Sequence, residues 1–286
     1  MLVNHKFRGS SVQPGPAPEQ PADEIWYISG DGNVITPSMS GSSVFGANIV
    51  SNTYSDGKGV IKFDGDVTRI GEQAFSDATG LTAIYIPTGV TEIAHSALCN
   101  TAISIILIPS GVTEIGNYAF QDCHHLTRVR IPNAVTSVGT SAFYRCVKLK
   151  TVQLGTGLTA ISERMLERIG IASIVIPNNI TAIEEAAFRD CLSLTSVNIP
   201  DSVASIGAQA FMNCQRLQNT RENPYPVHIG SGVASIGSNA FAGIFSLNAL
   251  DYRGTMAQWA EIEKDKNALP PYLIAVHCTD GDIYLN

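Results

Sequence analysis

Residues 67–75 read VTRIGEQAF, and the same nine-residue phrase returns as VTEIAHSAL at 90–98, VTEIGNYAF at 112–120 and VTSVGTSAF at 135–143. It continues as LTAISERML at 158–166, ITAIEEAAF at 180–188, VASIGAQAF at 203–211 and VASIGSNAF at 233–241. The large anchor that closes each phrase falls at Phe75, Leu98, Phe120, Phe143, Leu166, Phe188, Phe211 and Phe241, with spacings of 23, 22, 23, 23, 22, 23 and 30 residues. A fixed period in the twenties specifies a solenoid, because one such turn cannot bury its apolar face alone and must stack on its neighbours. The residues that recur are apolar or small, so the repeat itself carries no acid–base chemistry.

Each turn holds a second phrase upstream of the first: LTAIYIP at 81–87, LTRVRIP at 126–132 and LTSVNIP at 194–200 are three of them. Ile84 and Ile86, Val129 and Ile131, and Val197 and Ile199 alternate at period two, the mark of one face of a short strand. Pro87, Pro109, Pro132, Pro177 and Pro200 end that strand, since proline brings no donor to a ladder. The V-T-x-I phrase predicts a second extended segment with a bend, and Gly71, Gly116, Gly139, Gly207 and Gly237 mark the exit from it. The x-x-A-F-x-x-C stretch predicts one helical turn. The expected core is therefore two ladders of aliphatic strand residues facing a stack of Phe75, Phe120, Phe143, Phe188 and Phe211.

On these phrases the chain resembles the BspA-type leucine-rich repeat proteins, which are bacterial surface proteins built on I-P-x-x-V-T-x-I-G-x-x-A-F-x-x-C-x-x-L. The resemblance runs through about residues 60–254 and implies an α/β leucine-rich repeat solenoid of eight turns. The better-known leucine-rich repeat places Asn three residues after the last strand apolar, where it bonds from turn to turn. Here the corresponding positions hold Gly89, Gly111, Ala134, Gly157, Asn179 and Ser202, so an asparagine ladder is not expected. The resemblance further implies a non-catalytic interaction protein at the cell surface or secreted.

The regions outside the repeat read differently. Residues 1–24 carry Pro14, Pro16, Pro18 and Pro21 among polar residues, the composition of a stiff solvated tether. MLVNHKFRGS lacks the apolar core of a secretion signal, so either the chain is cytoplasmic or the given sequence begins after an export signal. The tether and the resemblance favour the second, with any lipid anchor on a segment outside this sequence. Residues 25–65 read as an N-terminal β cap, with a run Ile25 to Ile28, a tight turn at Asp31-Gly32 and a return through Val34-Ile35-Thr36. Within it, residues 60–63 are expected to form a degenerate first solenoid strand. Residues 66–254 hold the eight turns, and residues 255–286 a C-terminal cap: a helix over 255–264, then a hairpin turning at Asp280-Gly281.

Composition excludes several function classes. The net charge of −7, from 18 basic and 25 acidic residues, includes no basic stripe interleaved with aromatics, so nucleic acid is not expected as a partner. No apolar run approaches the length of a membrane span. No G-x-S-x-G elbow, H-E-x-x-H pair or Walker loop occurs, and no cofactor or metal is expected. His124-His125 reads as a solvated turn, and His277-Cys278 lies in the terminal hairpin without further ligands nearby.

Function is then expected on the outward sheet face. Its strand positions include Tyr85, Leu107, Arg130, Gln153, Val175, Asn198, His228 and Asp251, beside a stripe of Ala83, Ile105, Arg128 and Thr151. Tyr85, Ile105, Leu107, Arg128 and Arg130 form the candidate ligand-binding group, because apolar anchors with arginine compose an interaction hot spot. The alternative at this level is that the N-terminal cap covers them. The extra loop at 219–226, which lengthens one turn to 30 residues, is a second candidate. The functional expectation is an adhesion or binding protein for a protein or glycan; a structural spacer is the competing class, and an enzyme ranks third.

Of six cysteines, Cys123, Cys146, Cys191 and Cys214 each lie three residues after an anchor Phe, at a position that Ile169 and Ile244 fill in other turns. That pattern predicts buried free thiols, although neighbouring turns would also bring Cys123 and Cys146, or Cys191 and Cys214, near disulfide distance. Native protein is expected to react slowly with a thiol reagent, and all six thiols to titrate after unfolding without reductant; a lower count would reveal a disulfide.

Overall fold

The computed structural model describes residues 20–285. Its body is a β-solenoid of about nine turns, made mostly of strands with two short helices, Ser42–Phe45 and Met256–Glu261. The upstream phrase supplies the first parallel sheet, whose ladder is interrupted between Gln153 and Val175. There Thr151 pairs with Arg128, Val197 with Val227, His228 with Asp251 and Ala249 with Ala275. The V-T-x-I phrase supplies the second, where Ile70, Ile93, Ile115 and Val138 stand in register, as do Ile161, Ile183, Ile206 and Ile236.

The A-F stretch is not helical. Residues two before and two after each anchor adopt positive φ, as at Gln73 (52°) and Asp77 (61°), Tyr118 (58°) and Asp122 (58°), and Asn239 (57°) and Gly243 (76°). Left-handed residues at that interval forbid a run of i to i−4 bonds. The peptide groups bond between turns instead. The N–H groups of Gln73, Phe75 and Asp77 donate to the carbonyls of His95, Ala97 and Cys99, and those of Tyr118, Phe120 and Asp122 to Thr140, Ala142 and Tyr144. Intervening residues close local bonds, Ala74 to Gly71 and Ala78 to Phe75. Sequence pattern suggested a helix because a local turn and a helical turn share the same small-then-large spacing.

Inside this frame the anchors stack. Phe120 and Phe143 lie 5.1 Å apart and 2° from parallel, Phe188 and Phe211 5.1 Å and 6°, Phe211 and Phe241 5.3 Å and 7°. The spacing is that of adjacent strands, so the turn-to-turn hydrogen bonds fix the ring stacking. Ile84, Ile86, Ile106, Val129, Ile131, Leu154, Ile174, Ile176, Val197 and Ile199 are buried on the facing side, with Ile108 and Val152 packed at its margin.

Polar side chains add further turn-to-turn ties. The hydroxyls of Thr91, Thr113 and Thr136 donate to the carbonyls of Thr68, Thr91 and Thr113 at 3.2–3.4 Å, occupying the structural role that asparagine has elsewhere. The four predicted buried cysteines are buried free thiols. They also do more than fill space: Cys123, Cys146, Cys191 and Cys214 each donate Sγ–H to the anchor carbonyl of the preceding turn, at 3.1–3.2 Å. An isoleucine at that place packs but cannot donate.

Both ends depart from expectation. Strand Glu24–Ser29 does not return through residues 34–36. It pairs antiparallel with Lys58–Phe63 on one side and Leu81–Tyr85 on the other. Residues 60–63 therefore belong to an antiparallel cap hairpin, Ile49–Ser55 with Lys58–Phe63, whose turn is Asp56-Gly57 with both φ positive. Helix Ser42–Phe45 takes the place of a preceding turn, setting Phe45 edge-on to Phe75 at 5.9 Å. Of the expected tether, residues 1–19 lie outside the described residues, while Ala22 and Asp23 accept backbone hydrogen bonds from Val67 and Phe63. At the other end the repeat does not stop at residue 254. Glu263 and Lys264 join the second sheet in parallel, Asn267 takes the left-handed position, and Ala268-Leu269 stands where Ala-Phe stands elsewhere. This ninth degenerate turn escaped the sequence reading because leucine, a proline pair and a 28-residue spacing replace the motif. The expected terminal helix and hairpin are present, the hairpin turning one residue earlier, at Thr279-Asp280.

Ile131 is 1% exposed and lies between two stacked turns. Ile131→Ala is expected to cost about 2–5 kcal/mol through lost transfer energy and the residual cavity, read by denaturant unfolding.

Candidate functional site

Alternation along each strand of the first sheet sends one side chain inward and the next outward, and the ladder aligns the outward ones into rows. Tyr85 bridges to Leu107 and Ile105 to Arg128; Arg128 then pairs with Thr151 and Arg130 with Gln153. All five candidate residues therefore share one face in two adjacent rows. Leu107 is 48% and Ile105 39% exposed, Arg128 and Arg130 are exposed, and Tyr85 is half-buried.

Among the described residues the N-terminal cap leaves Ile105, Leu107, Arg128 and Arg130 exposed. Its strand Glu24–Ser29 joins the sheet edge, placing Trp26 opposite Tyr85 and Ile28 opposite Ala83. One apolar surface, Trp26, Ile28, Tyr85, Ile105 and Leu107, thus crosses from cap into repeat and ends at the two arginines. Sequence reasoning missed Trp26 and Ile28, because only the antiparallel pairing shows that they continue the rows. The alternation of Trp26 and Ile28 with buried Ile25 and Tyr27 was the available signal.

Charges fix the outer edge of this surface. Lys58 Nζ stands 3.1 Å from the Trp26 ring centroid, a close cation–π contact. Glu24 accepts from Trp26 Nε1 at 2.6 Å and pairs with Lys62 at 3.0 Å. Burial opposes the charged form of Glu24, yet the hydrogen bonds from Trp26 and Lys62 outweigh it and hold the carboxyl below its ordinary range. Burial likewise pushes the Lys58 ammonium below its ordinary value, against the attraction of Glu24.

The 219–226 loop is pinned to the C-terminal end of the same sheet. Asn219 Oδ1 accepts from the Asn248 and Ala249 N–H groups, its Nδ2 donates to the Ala249 carbonyl, and Tyr225 stacks on His277 with centroids 5.3 Å apart. Burial pushes the Cys99 thiol up to about 11 and the Cys191 thiol to about 12, the opposite of an activated thiolate. Among the described residues no helix is long and apolar enough to cross a membrane.

This arrangement defines a repeat scaffold with an exposed sheet face. Residues 49–169 and 159–258 match the BspA type leucine rich repeat region in six copies, and the chain belongs to that family. Among solved structures it is similar to a leucine-rich repeat protein from Bacteroides ovatus, 23% identical with a TM-score of 0.62, over 81% of this chain and 62% of that one. A leucine rich cell surface protein from Faecalibacterium prausnitzii aligns at 23% identity and a TM-score of 0.42, over 70% of this chain and 61% of that one. The T. pallidum leucine rich repeat protein aligns at 25% identity and a TM-score of 0.41, over 66% of this chain and 75% of that one. The chain thus spans about three fifths of the first two. No curated protein matches it.

The Glu24 carboxyl titrates lower in the folded chain than in the unfolded one. Its contribution to cap stability is therefore present above the unfolded value of about 4.3 and lost as pH falls through the folded value. Acidification below about pH 4.3 is expected to loosen Trp26 and shift its fluorescence to the red, and Glu24→Gln to remove that step, as measured by emission titration against the buried Trp259 background.

Proposed function

We propose that this chain is a non-enzymatic, surface-displayed or secreted binding protein that recognises a protein or glycan through the N-terminal half of its sheet face. One observation carries the reading: exposed Ile105 and Leu107, with half-buried Trp26, Ile28 and Tyr85, make an apolar surface beside exposed Arg128 and Arg130. Aromatic and arginine side chains dominate binding energy where they cluster, since they bury area and fix orientation together. Exposure of such a surface costs solvation free energy that a partner would recover on docking. Family membership supports surface display, and a lipid tether on a segment outside this sequence is consistent with it. A spacer with no ligand of its own is the second reading; the unbroken ladder of turn-to-turn bonds from Gln73 to Phe241 supports it by making the body stiff.

The test couples ligand capture to point variants. The intact chain is presented to host-matrix and bacterial envelope extracts and to a glycan array, and any captured partner is measured against Leu107→Asp and Arg130→Ala. Leu107→Asp is expected to weaken binding at least tenfold by placing a charge in a desolvated contact. Arg130→Ala should weaken it less, and most at low salt for an acidic ligand. Both side chains face solvent, so circular dichroism should be unchanged. Silence in every capture assay would favour the spacer, and full binding by both variants would move the site off this face.

A further inference from the structure

The outward sheet face ends, in the N-terminal cap, at an open strand edge. Its strands lie side by side in the order Ile49–Ser55, Lys58–Phe63, Glu24–Ser29 and Leu81–Tyr85, so Ile49–Ser55 has a strand neighbour on one side only. The hairpin turns through Asp56 and Gly57, and a two-residue turn makes the flanking pair, Ser55 and Lys58, exchange both backbone bonds. Alternation then aims the backbone of Ser55, Thr53 and Ser51 at the hairpin partner, and that of Tyr54 and Asn52 at the open edge. Among the described residues the N–H and C=O groups of Asn52 and Tyr54 meet no backbone partner there. The Asn52 side chain points inward, accepting from the Tyr27 hydroxyl and donating to the Ile35 carbonyl, each at 2.9 Å. Thr53 lies exposed on the outward face, and Val50 is exposed where the strand begins. Edges left open in this way are ordinarily guarded by a charge or a proline, and Ile49–Ser55 contains neither. At the far end of the face the edge strand Gly281–Tyr284 does carry a charge, the exposed Asp282.

We propose that Ile49–Ser55 pairs antiparallel with the same strand of a second copy of this chain, about a two-fold axis at Thr53. In that register Asn52 stands opposite the second copy's Tyr54, and Tyr54 opposite its Asn52. Each of these pairs exchanges two backbone bonds, which satisfies the groups left open at the edge. The strand is self-complementary about Thr53: Ser51 meets Ser55, Thr53 meets Thr53, and no like charges face each other. Hydroxyl side chains directly opposite on neighbouring strands hydrogen-bond across the pair. The register shift between Ile49 and Ser51 ends the pairing beyond Ser51. A two-fold contact consumes this edge in both copies, so the assembly closes at two chains. The two outward faces then join into one sheet, with the two Trp26 residues five strand spacings apart, about 24 Å.

A contact confined to residues 51–55 lies at the low end of interface sizes, so a dissociation constant on the order of 100 µM is expected. The test is sedimentation velocity of the intact chain from about 10 µM to about 1 mM, where monomer should pass into dimer. Thr53→Lys and Thr53→Glu each set two like charges face to face at the axis, and each should weaken association at least tenfold. An equimolar mixture of the two variants should dimerise again, because Lys then faces Glu. Thr53 is exposed, so circular dichroism should show both variants folded. Monomer throughout the range, a dimer indifferent to Thr53→Lys, or a mixture that stays monomeric would overturn the proposal. No ligand takes part, so this result and that of the capture assays stand or fall separately.

Discussion

The turn-to-turn hydrogen bond is the constraint on which the rest of this molecule depends. A turn of about 23 residues has too little interior to bury its own peptide groups and apolar side chains together. Stacking at strand spacing lets one turn satisfy the backbone of the next, and every other regularity follows. Phenylalanine rings fall into near-parallel stacks at 5.1–5.3 Å because the backbone ladder sets that distance. Thr91 and Cys146 add donors where the ladder leaves a carbonyl with spare capacity. Even the left-handed residues serve this end, since alternating their peptide planes points N–H groups at the neighbouring turn rather than along a helix.

That constraint also shapes the ends and the surface. A ladder must stop, and at each end antiparallel strands replace the missing neighbour. The N-terminal hairpin continues the first sheet edge-on and so enlarges the outward face instead of closing it, which leaves Trp26 beside Tyr85. At the C-terminal end Pro270 and Pro271 follow the last anchor, where proline removes a donor that would otherwise lack a partner. Glu167 is the cost of one irregular turn. It is 4% exposed, one of its oxygens finds no hydrogen-bond partner, and burial raises its carboxyl above the ordinary range against the pull of Arg164 and Arg189.

A solenoid also converts sequence distance into rows of chemistry. Residues 22–30 apart become lateral neighbours on the sheet, so binding groups need no sequence motif of their own. His228, Asp251 and His277 are spread over 50 positions yet occupy three successive strands. Along the chain His228 and Asp251 are 23 residues apart; across the ladder they are neighbours, with Nδ1 and Oδ2 2.8 Å apart. The 219–226 loop gains its meaning the same way, because Tyr225 reaches a ring two strands distant from its own.

Local pattern is enough for the period, the two extended segments of each turn, the inward ladders from Ile84 to Ile199 and the burial of Cys123, Cys146, Cys191 and Cys214. These follow from local alternation and from a repeated environment, so eight copies of one pattern average out the ambiguity of any single copy. Local pattern also places Tyr85, Ile105, Leu107, Arg128 and Arg130 on one face, since register in a repeat is a matter of counting. That the A-F stretch is a bonded turn and not a helix is visible in the folded chain alone, because the choice rests on partners in the next turn. The folded chain alone shows that residues 60–63 pair antiparallel, that Trp26 and Ile28 extend the apolar surface, and that a ninth turn follows the eighth. Each of these depends on which distant strand supplies the hydrogen bonds of an edge, and no local pattern of side chains specifies that choice.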